Sequence, residues 1–225
     1  MPSKHYQKIK SKIDKSKVYD LDEAIDFIKK NYLSSFDETV EIHVRLGIDP
    51  KKSEQQVRGS VILPHGAPKK EKIAAFVEPA NTSQVKEAGA DLVGGDDLIE
   101  KIKTTGKCDF DIAIATPAMM KSLAQIARIL GPKGLMPSPK TGSIVTNVNE
   151  SIRELRKGKI TFKNDESGNL HIGIAKLSWD KEKIKDNISL FLETLKKARP
   201  SGVKGNFIKN VVLATTMGPG LKIQI

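Results

Sequence analysis

The sequence is poor in several features on which whole classes of protein depend. Its 225 residues include one cysteine, Cys108, so no disulfide can form within the chain. No apolar run approaches the roughly 20 residues that span a bilayer, and the opening Met-Pro-Ser-Lys lacks the apolar core of a secretory signal. We therefore expect a cytoplasmic protein with no membrane partner.

Motifs for catalysis and metal binding are also missing. The four histidines lie far apart in the sequence, without H-E-x-x-H or a cysteine pair. Gly89 and Gly94 are spaced like the ends of a phosphate-binding P-loop, but Gly95-Asp96 stands where Lys-Ser/Thr is required. The sequence thus predicts no catalytic residues, no metal and no cofactor.

Acidic residues are outnumbered by basic ones. The chain has 38 Lys and Arg against 27 Asp and Glu, a formal net charge of +11. Because Lys and Arg release condensed counterions when they neutralise phosphates, this excess favours a nucleic-acid partner. Six lysines within residues 1–19 form a basic arm at the start of the chain.

Aromatic residues are scarce, at 5% of the chain, and no stacking strip of the R-G-F-x-F type occurs. This argues against single-strand binding by base stacking. It favours recognition of a folded RNA by its shape, 2′-hydroxyls and phosphates.

The outer parts of the chain contain alternating strands and two amphipathic helices. A helix is predicted from Asp20, and a second from Asp180 to Ala198, where Pro200 follows. Alternating apolar residues predict strands over Val40–Leu46, Val57–Leu63, Ile160–Phe162 and Leu170–Ile174, and a continuous apolar run predicts one over Val211–Ala214. The polar residues 164–169 predict a hairpin between the third and fourth of these strands.

The middle of the chain alternates strand and helix instead. Strands are predicted at Ile73–Val77, Asp91–Val93 and Asp109–Ala115, and a helix at Pro117–Leu130 with proline in its first turn. This order is typical of a parallel sheet covered by helices.

These patterns predict two domains, of α/β and α+β class. A discontinuous, split β-α-β-like α+β domain comprises residues 1–66 and 158–225, and a three-layer Rossmann-like α/β domain is inserted at 67–157. The cluster from Pro64 to Pro68 is predicted to be a hinge, where the chain passes from one domain to the other. The insert has 14 basic and 11 acidic residues, net +3, and the outer parts have 24 and 16, net +8. We therefore expect the polyanion on the discontinuous domain.

A turn near the end of the chain combines unusual residues. Thr215-Thr216-Met217-Gly218-Pro219-Gly220 lies between two predicted strands and presents two hydroxyls, a thioether and a Gly-Pro-Gly backbone. Another molecule can approach such a backbone closely, because glycine has no Cβ. An ordinary tight turn is the alternative.

The chain resembles the bacterial form of the L-one family, universal protein one of the large ribosomal subunit. The resemblance covers nearly the whole length. It rests on collinear motifs: Phe36-Asp37-Glu38-Thr39-Val40-Glu41, Gly47-Ile48-Asp49-Pro50, Val57-Arg58-Gly59, Leu63-Pro64-His65-Gly66, Ala88-Gly89-Ala90-Asp91, Val93-Gly94-Gly95, Asp109-Phe110-Asp111, Gly131-Pro132-Lys133-Gly134-Leu135, Phe162-Lys163-Asn164-Asp165 and Thr215-Thr216-Met217-Gly218-Pro219.

The resemblance implies a non-enzymatic protein, monomeric within the ribosome, that binds a folded large-subunit rRNA element at the mobile exit-site stalk. It further implies assistance in release of deacylated exit-site tRNA and repression of translation of its own operon mRNA. The RNA-binding residues that it implies, read together with their chemistry, are Phe36, Thr39, Glu41, Lys163, His171, Lys176, Lys204, Thr215, Thr216, Met217, Gly218 and Pro219. The lysines would meet phosphates and the threonines 2′-hydroxyls.

Two other functions remain open from the sequence. One is a nucleotide-using or RNA-modifying enzyme with its active site in the insert, near Gly94-Gly95 and Asp111. The other is a general basic nucleic-acid binder without preference for a folded RNA.

Overall fold

The computed structural model describes residues 4–14 and 17–224. It divides into two compact units, one of Met1–Pro68 and Ile160–Ile225 and the other of Lys69–Lys159. Both helices and several sheets are present, so the predicted mixed α/β class is confirmed. No helix in the described residues is both long and apolar enough to cross a membrane.

The first unit is built on a four-stranded sheet in the order β7-β1-β8-β9. These strands are β1 (Thr39–Leu46), β7 (Asn169–Lys176), β8 (Ile208–Thr215) and β9 (Leu221–Ile223). β1 runs antiparallel to both β7 and β8, and β9 runs antiparallel to β8. The chain thus passes from β7 through a helix to the parallel strand β8, with β1 between them, which is a split β-α-β arrangement.

Two helices cover one face of this sheet. They are α2 (Leu21–Lys30) and α8 (Lys181–Lys197). Ile25 of α2 and Ile188 and Phe191 of α8 are fully buried, in one core with the apolar side chains of the strands. Asp22 of α2 accepts a hydrogen bond from Lys185 of α8, which joins the solvent sides of the two helices. A short helix, α1 (Lys4–Lys10), begins the described chain, and Lys15 of the predicted basic arm lies outside the described residues.

The predicted hairpin between the strands at 160–162 and 170–174 is wrong. β6 (Lys159–Lys163) pairs with β2 (Arg58–Ile62) in a separate two-stranded sheet. Asn164 redirects the chain, because its Oδ1 accepts from the amide of Val57 (2.8 Å) and its own amide donates to the Val57 carbonyl (3.1 Å). Alternation located both strands but does not identify their pairing partners.

The second unit has a parallel three-stranded sheet in the order β4-β3-β5. The strands are β3 (Ile73–Phe76), β4 (Leu92–Gly94) and β5 (Ile112–Ala115). The helices of this unit are α3 (Thr82–Glu87), α4 (Asp96–Thr105), α5 (Met120–Leu123), α6 (Ala127–Leu130) and α7 (Val148–Arg156).

Helices lie on both faces of this parallel sheet. Ala74 and Phe76 of β3 belong to a core shared with α4, α5 and α6, whereas Ile73 and Ala75 belong to a second core shared with α3 and α7. All four residues of β3 are buried, which explains its continuous apolar run.

Two elements of the second unit differ from their predicted extents. The predicted helix Pro117–Leu130 is interrupted by a 3-10 segment, Ala124–Ile126, where the amide of Ala127 donates three residues back. Pro117 lies in the preceding turn and not in the helix. The strand predicted from Asp109 begins only at Ile112, because the carboxylate of Asp111 takes the amide of Lys72 as its partner (3.0 Å).

The two-stranded sheet allows a direct test of packing. A Cβ on Gly59 would lie 2.7 Å from Cζ of Phe162, a ring that is 3% exposed and packs edge-on against Phe191. We expect Gly59→Ala to lower the free energy of unfolding by about 1–3 kcal/mol, because the buried ring has to shift. Urea unfolding followed by the fluorescence of Trp179, the single tryptophan, measures this.

Gly202→Ala is the matched control, because its Cβ would meet nothing nearer than 3.8 Å. We expect that variant to unfold like the parent. Equal stabilities of the two variants would contradict the packing of Phe162 over Gly59.

Candidate nucleic-acid interface

The side chains of β1 alternate between the core and the opposite face of the sheet. The apolar residues of the strand are buried, whereas Thr39, Glu41 and His43 are half-buried and Arg45 is exposed. His171 of β7 pairs with His43 across the sheet. We call the side of the sheet that carries these polar residues the β1 face.

Hydrogen bonds connect the start of β1 to the end of β8. The amide of Thr39 donates to Oγ1 of Thr216 (3.1 Å), and the amide of Thr216 donates to the carbonyl of Thr39 (3.1 Å). Lys176, opposite Thr39 on β7, donates from Nζ to Oγ1 of Thr39 (3.0 Å) and to the carbonyl of Asp37 (3.1 Å). Three strands therefore meet at this point in a fixed geometry.

A buried carboxylate lies beneath this junction. Glu38 is 0% exposed, and its Oε1 accepts from the amides of Leu33 (3.2 Å) and Ser34 (3.1 Å) and from the Ser34 hydroxyl (2.7 Å). The amide of Met217 donates to Oε2 (3.3 Å), and the Thr215 side chain also bonds the carboxylate. Glu38 thus joins the loop before β1 to the turn after β8.

The net effect of these surroundings is to hold the Glu38 carboxyl ionised. Burial by itself raises its pKa, because it disfavours the charged form, but the hydrogen bonds together outweigh burial and lower the pKa from its usual value. Above the carboxylate, Phe36 and Met217 are 54% and 55% exposed, and Thr216 is exposed too. We call the group Phe36, Thr39, Lys176, Thr216 and Met217 the Glu38 corner.

The turn after β8 has the position predicted for it, between two paired strands. Two of its residues, which were expected to face an RNA, are buried instead. Thr215 is 5% exposed and its hydroxyl bonds Glu38, so it cannot also meet a 2′-hydroxyl. Pro219 is buried. A Cβ on Gly218 would lie 2.4 Å from Oγ1 of Thr215, so only glycine lets the turn fold closely over that hydroxyl.

Two histidines contact each other on the β1 face. Their Nδ1 atoms are 2.8 Å apart, a hydrogen bond in which one ring donates and the other accepts. Burial lowers the pKa of His43, and the neighbouring His171 lowers it further, against the opposing effect of Glu41. Nε2 of His171 lies 3.6 Å from Oδ2 of Asp165. Among the residues that the structure describes, no group of three or more His, Cys, Asp or Glu side chains is placed so that it could hold a metal ion.

Lys163 and Lys204 lie away from the Glu38 corner. Lys163 ends β6, just before the turn that leads into β7 opposite Arg45, and Lys204 lies in the loop before β8, which pairs with Leu46. Both are exposed. The length of β1, roughly 24 Å at 3.4 Å per residue, separates them from Thr39. They therefore flank the opposite end of the β1 face.

Two residues of the site were not selected from the sequence. Glu38 belongs to the motif Phe36–Glu41. An acid is an unexpected component of an RNA surface, and nothing in the sequence shows that this acid is buried. Arg45 follows the same alternation as Glu41 and His43, and this pattern could have placed it on the same face of the strand. Its exposed guanidinium adds a cation to the β1 face.

Asp111, the acid of the alternative active site in the second unit, is already engaged in hydrogen bonds. Asp111 accepts from Nζ of Lys69 (2.9 Å) and from the amide of Lys72 (3.0 Å). These hydrogen bonds lower the pKa of its carboxyl, the Lys72 amide contributing most. Asp111 therefore has a structural role at the start of β5.

Glu38→Gln tests the role of the buried carboxylate. We expect the free energy of unfolding at neutral pH to fall by about 2–3 kcal/mol, because an amide NH2 would face the donors of Thr215 and Met217. The pKa of Glu38 is lower folded than unfolded, so its contribution is complete above pH 4.5 and is lost as the pH falls through the folded value. Urea unfolding at several pH values should show the variant and parent converging in acid.

Glu41→Gln on the adjoining strand β1 is the control, since its side chain is 36% exposed. We expect a change within about 0.5 kcal/mol. A difference between Glu38→Gln and the parent that stays constant into strong acid would contradict the assigned role of the charge.

Comparison with known proteins identifies the family. A family model described as the ribosomal protein L1p/L10e family matches residues 27–219. The large ribosomal subunit protein uL1 of Thermosipho africanus strain TCF52B is 48% identical over 222 residues, covering 99% of this chain and 96% of the relative. The protein of the same name from Mycoplasma capricolum is 43% identical, covering 99% and 98%.

Both comparisons extend over nearly all of the chain, and both agree with the resemblance predicted from the motifs. That family consists of structural ribosomal proteins and not of enzymes. The chain belongs to the ribosomal protein L1p/L10e family.

Proposed function

We propose that this chain binds a folded element of large-subunit rRNA through the Glu38 corner and the adjoining β1 face. The observation that carries the proposal is the Glu38 corner, where an aromatic ring, a thioether and a hydroxyl are exposed together over a fixed backbone. A surface prearranged in this way loses little conformational entropy on binding, so more of its contact energy appears as affinity.

The chemistry of the Glu38 corner suits recognition of the backbone of an RNA helix and not recognition of its base sequence. A-form RNA displays 2′-hydroxyls and phosphates on a wide, shallow minor groove. The Thr216 hydroxyl can exchange hydrogen bonds with a 2′-hydroxyl, and the Met217 side chain can cover a sugar. Lys176 uses two of its three donors within the protein, which leaves one for a phosphate.

Charge supports the same assignment. The parts of the chain outside 67–157 have a net charge of +8, against +3 within it. Arg45 on the β1 face and Lys163 and Lys204 at its far end extend the cationic surface from the Glu38 corner. Glu41, an acceptor only, would bind a hydroxyl or amino group of the RNA.

As a member of a ribosomal protein family, the chain is a structural component of the cytoplasmic ribosome. The finer roles form part of the proposal: a place at the mobile exit-site stalk, assistance in the release of deacylated tRNA, and repression of its own operon mRNA. Repression through this surface would require the mRNA to present the same backbone shape as the rRNA element, so the two RNAs would exclude each other.

Thr216→Ala tests the Glu38 corner directly. We expect affinity for a folded large-subunit rRNA fragment to fall by about 1–3 kcal/mol, because the hydroxyl contact is lost. Thr216→Ser is the matched control, since it keeps the hydroxyl, and it should bind like the parent. Filter binding or fluorescence anisotropy at fixed salt measures the affinities.

Met217→Ala should weaken binding to a similar degree, with Ile62→Ala as the control for loss of an exposed apolar side chain, 45% exposed on β2. Undiminished affinity in both Thr216→Ala and Met217→Ala would refute the proposed surface. Equal affinity for the folded fragment and a random duplex at raised salt would favour a general basic binder.

Competition tests autorepression. An unlabelled leader fragment of the chain's own operon mRNA should displace the labelled rRNA fragment, because both would occupy the Glu38 corner. Thr216→Ala should weaken both complexes in parallel. Simultaneous binding of the two RNAs would argue against a shared site.

A further inference from the structure

Two exposed aromatic side chains, Tyr32 and Phe36, lie in one cleft. Tyr32 is 57% exposed and Phe36 is 54% exposed, and among the described Phe, Tyr and Trp residues no other is exposed. Both line a cleft of about 510 Å³ between the end of α2 and the segment after β7, where Leu177 and Ser178 complete its walls. We call it the aromatic cleft. Its volume is within the range of small-molecule sites.

Hydrogen bonds fix the walls of the aromatic cleft. The Ser34 hydroxyl bonds the carbonyl of Phe36 (3.0 Å) and the Glu38 carboxylate (2.7 Å). The Asp37 carboxylate accepts from the amide of Ser178 (3.0 Å) and from its hydroxyl (2.9 Å), which joins the two sides. The cleft is therefore formed before any ligand arrives.

The cleft offers a planar apolar surface with unused polar groups at its rim. Within the described part of the chain, the hydroxyls of Tyr32 and Ser35 have no hydrogen-bond partner. Lys29 donates to the carbonyl of Trp179, which leaves two of its donors for a ligand. The one acid of the lining, Asp37, is occupied by Ser178. This combination suits a flat, hydrogen-bonding group attached to an anionic backbone.

We propose that the aromatic cleft receives one unstacked nucleobase of the RNA that binds the Glu38 corner. The inference rests on the proposed function. Phe36 belongs to both surfaces, and the Glu38 carboxylate bonds Ser34 in the cleft wall and Met217 in the Glu38 corner. An RNA on the Glu38 corner is thus continuous with the cleft, where an extruded base stacks on aromatic rings.

The same features disfavour a protein partner. An amphipathic helix needs a groove with anchors at successive turns, at positions such as i, i+3, i+4 and i+7. The aromatic cleft has three large apolar residues, Tyr32, Phe36 and Leu177, enough to sandwich one planar group. The rest of the lining is hydroxyl and charged.

A combination of protein and RNA variants tests the inference. Replacing an aromatic ring that stacks on a base typically weakens binding by about fivefold to a hundredfold. Tyr32→Ala in the full chain should therefore bind the folded rRNA fragment about tenfold more weakly, whereas Tyr32→Phe should stay within about threefold because the ring remains. Ile62→Ala, which removes another exposed apolar side chain, should bind like the parent.

An abasic scan of the fragment identifies the base. One abasic position should weaken binding to the parent about tenfold and have little further effect on Tyr32→Ala, because the two changes remove the same contact. Additive effects at every position would overturn the inference. If that result accompanies a loss of affinity in Thr216→Ala, the cleft is refuted and the proposed function stands. If the chain does not bind the fragment at all, both fail.

Discussion

The buried carboxylate of Glu38 is the group on which the geometry of the Glu38 corner depends. It accepts hydrogen bonds from the loop before β1, from the last residue of β8 and from the turn that follows. A buried charge is tolerated only when such donors surround it, and removing one leaves the others oriented around an unsatisfied group. The same bonds that make burial of the charge possible therefore fix the positions of Ser34, Thr215 and Met217.

The register between β1 and β7 also determines which residues lie beside Thr39 and Glu41. Val40 is opposite Ala175 but Glu41 is opposite Gly173, so a bulge adds a residue to β7 at this point. This shift brings Lys176 level with Thr39 and leaves glycine beside Glu41. A Cβ at Gly173 would lie 3.0 Å from Cγ2 of Thr39, so a side chain there would press on the methyl group of Thr39.

The sequence predicted the local elements of the first unit better than their partners. Alternation identified β1 because one face of it is buried, and it placed Glu41, His43 and Arg45 on the other face, whereas a continuous apolar run identified β8. It could not show that β6 pairs with β2, because pairing depends on residues far apart in the chain, such as Val57 and Asn164. Pattern reasoning has no access to such contacts.

The structure brings together some of the residues predicted for the site and separates others. Residue type indicated what each side chain could contact, and five residues chosen in this way lie close together: Phe36, Thr39, Lys176, Thr216 and Met217. Thr215 was misjudged, because two adjacent threonines look alike in sequence while strand geometry sends one side chain inward and the next outward. The low aromatic content argued against base stacking, but it could not show that Tyr32 and Phe36 lie in a single cleft.

The bond between Glu38 and Met217 spans 179 positions of the chain. Because one of the donors to Glu38 is the amide of Met217, a polypeptide still being synthesised cannot complete this arrangement until translation has passed Met217. A partly made chain would have its positive charge but not its shape. The finished surface is therefore present only in molecules whose early and late segments have already met.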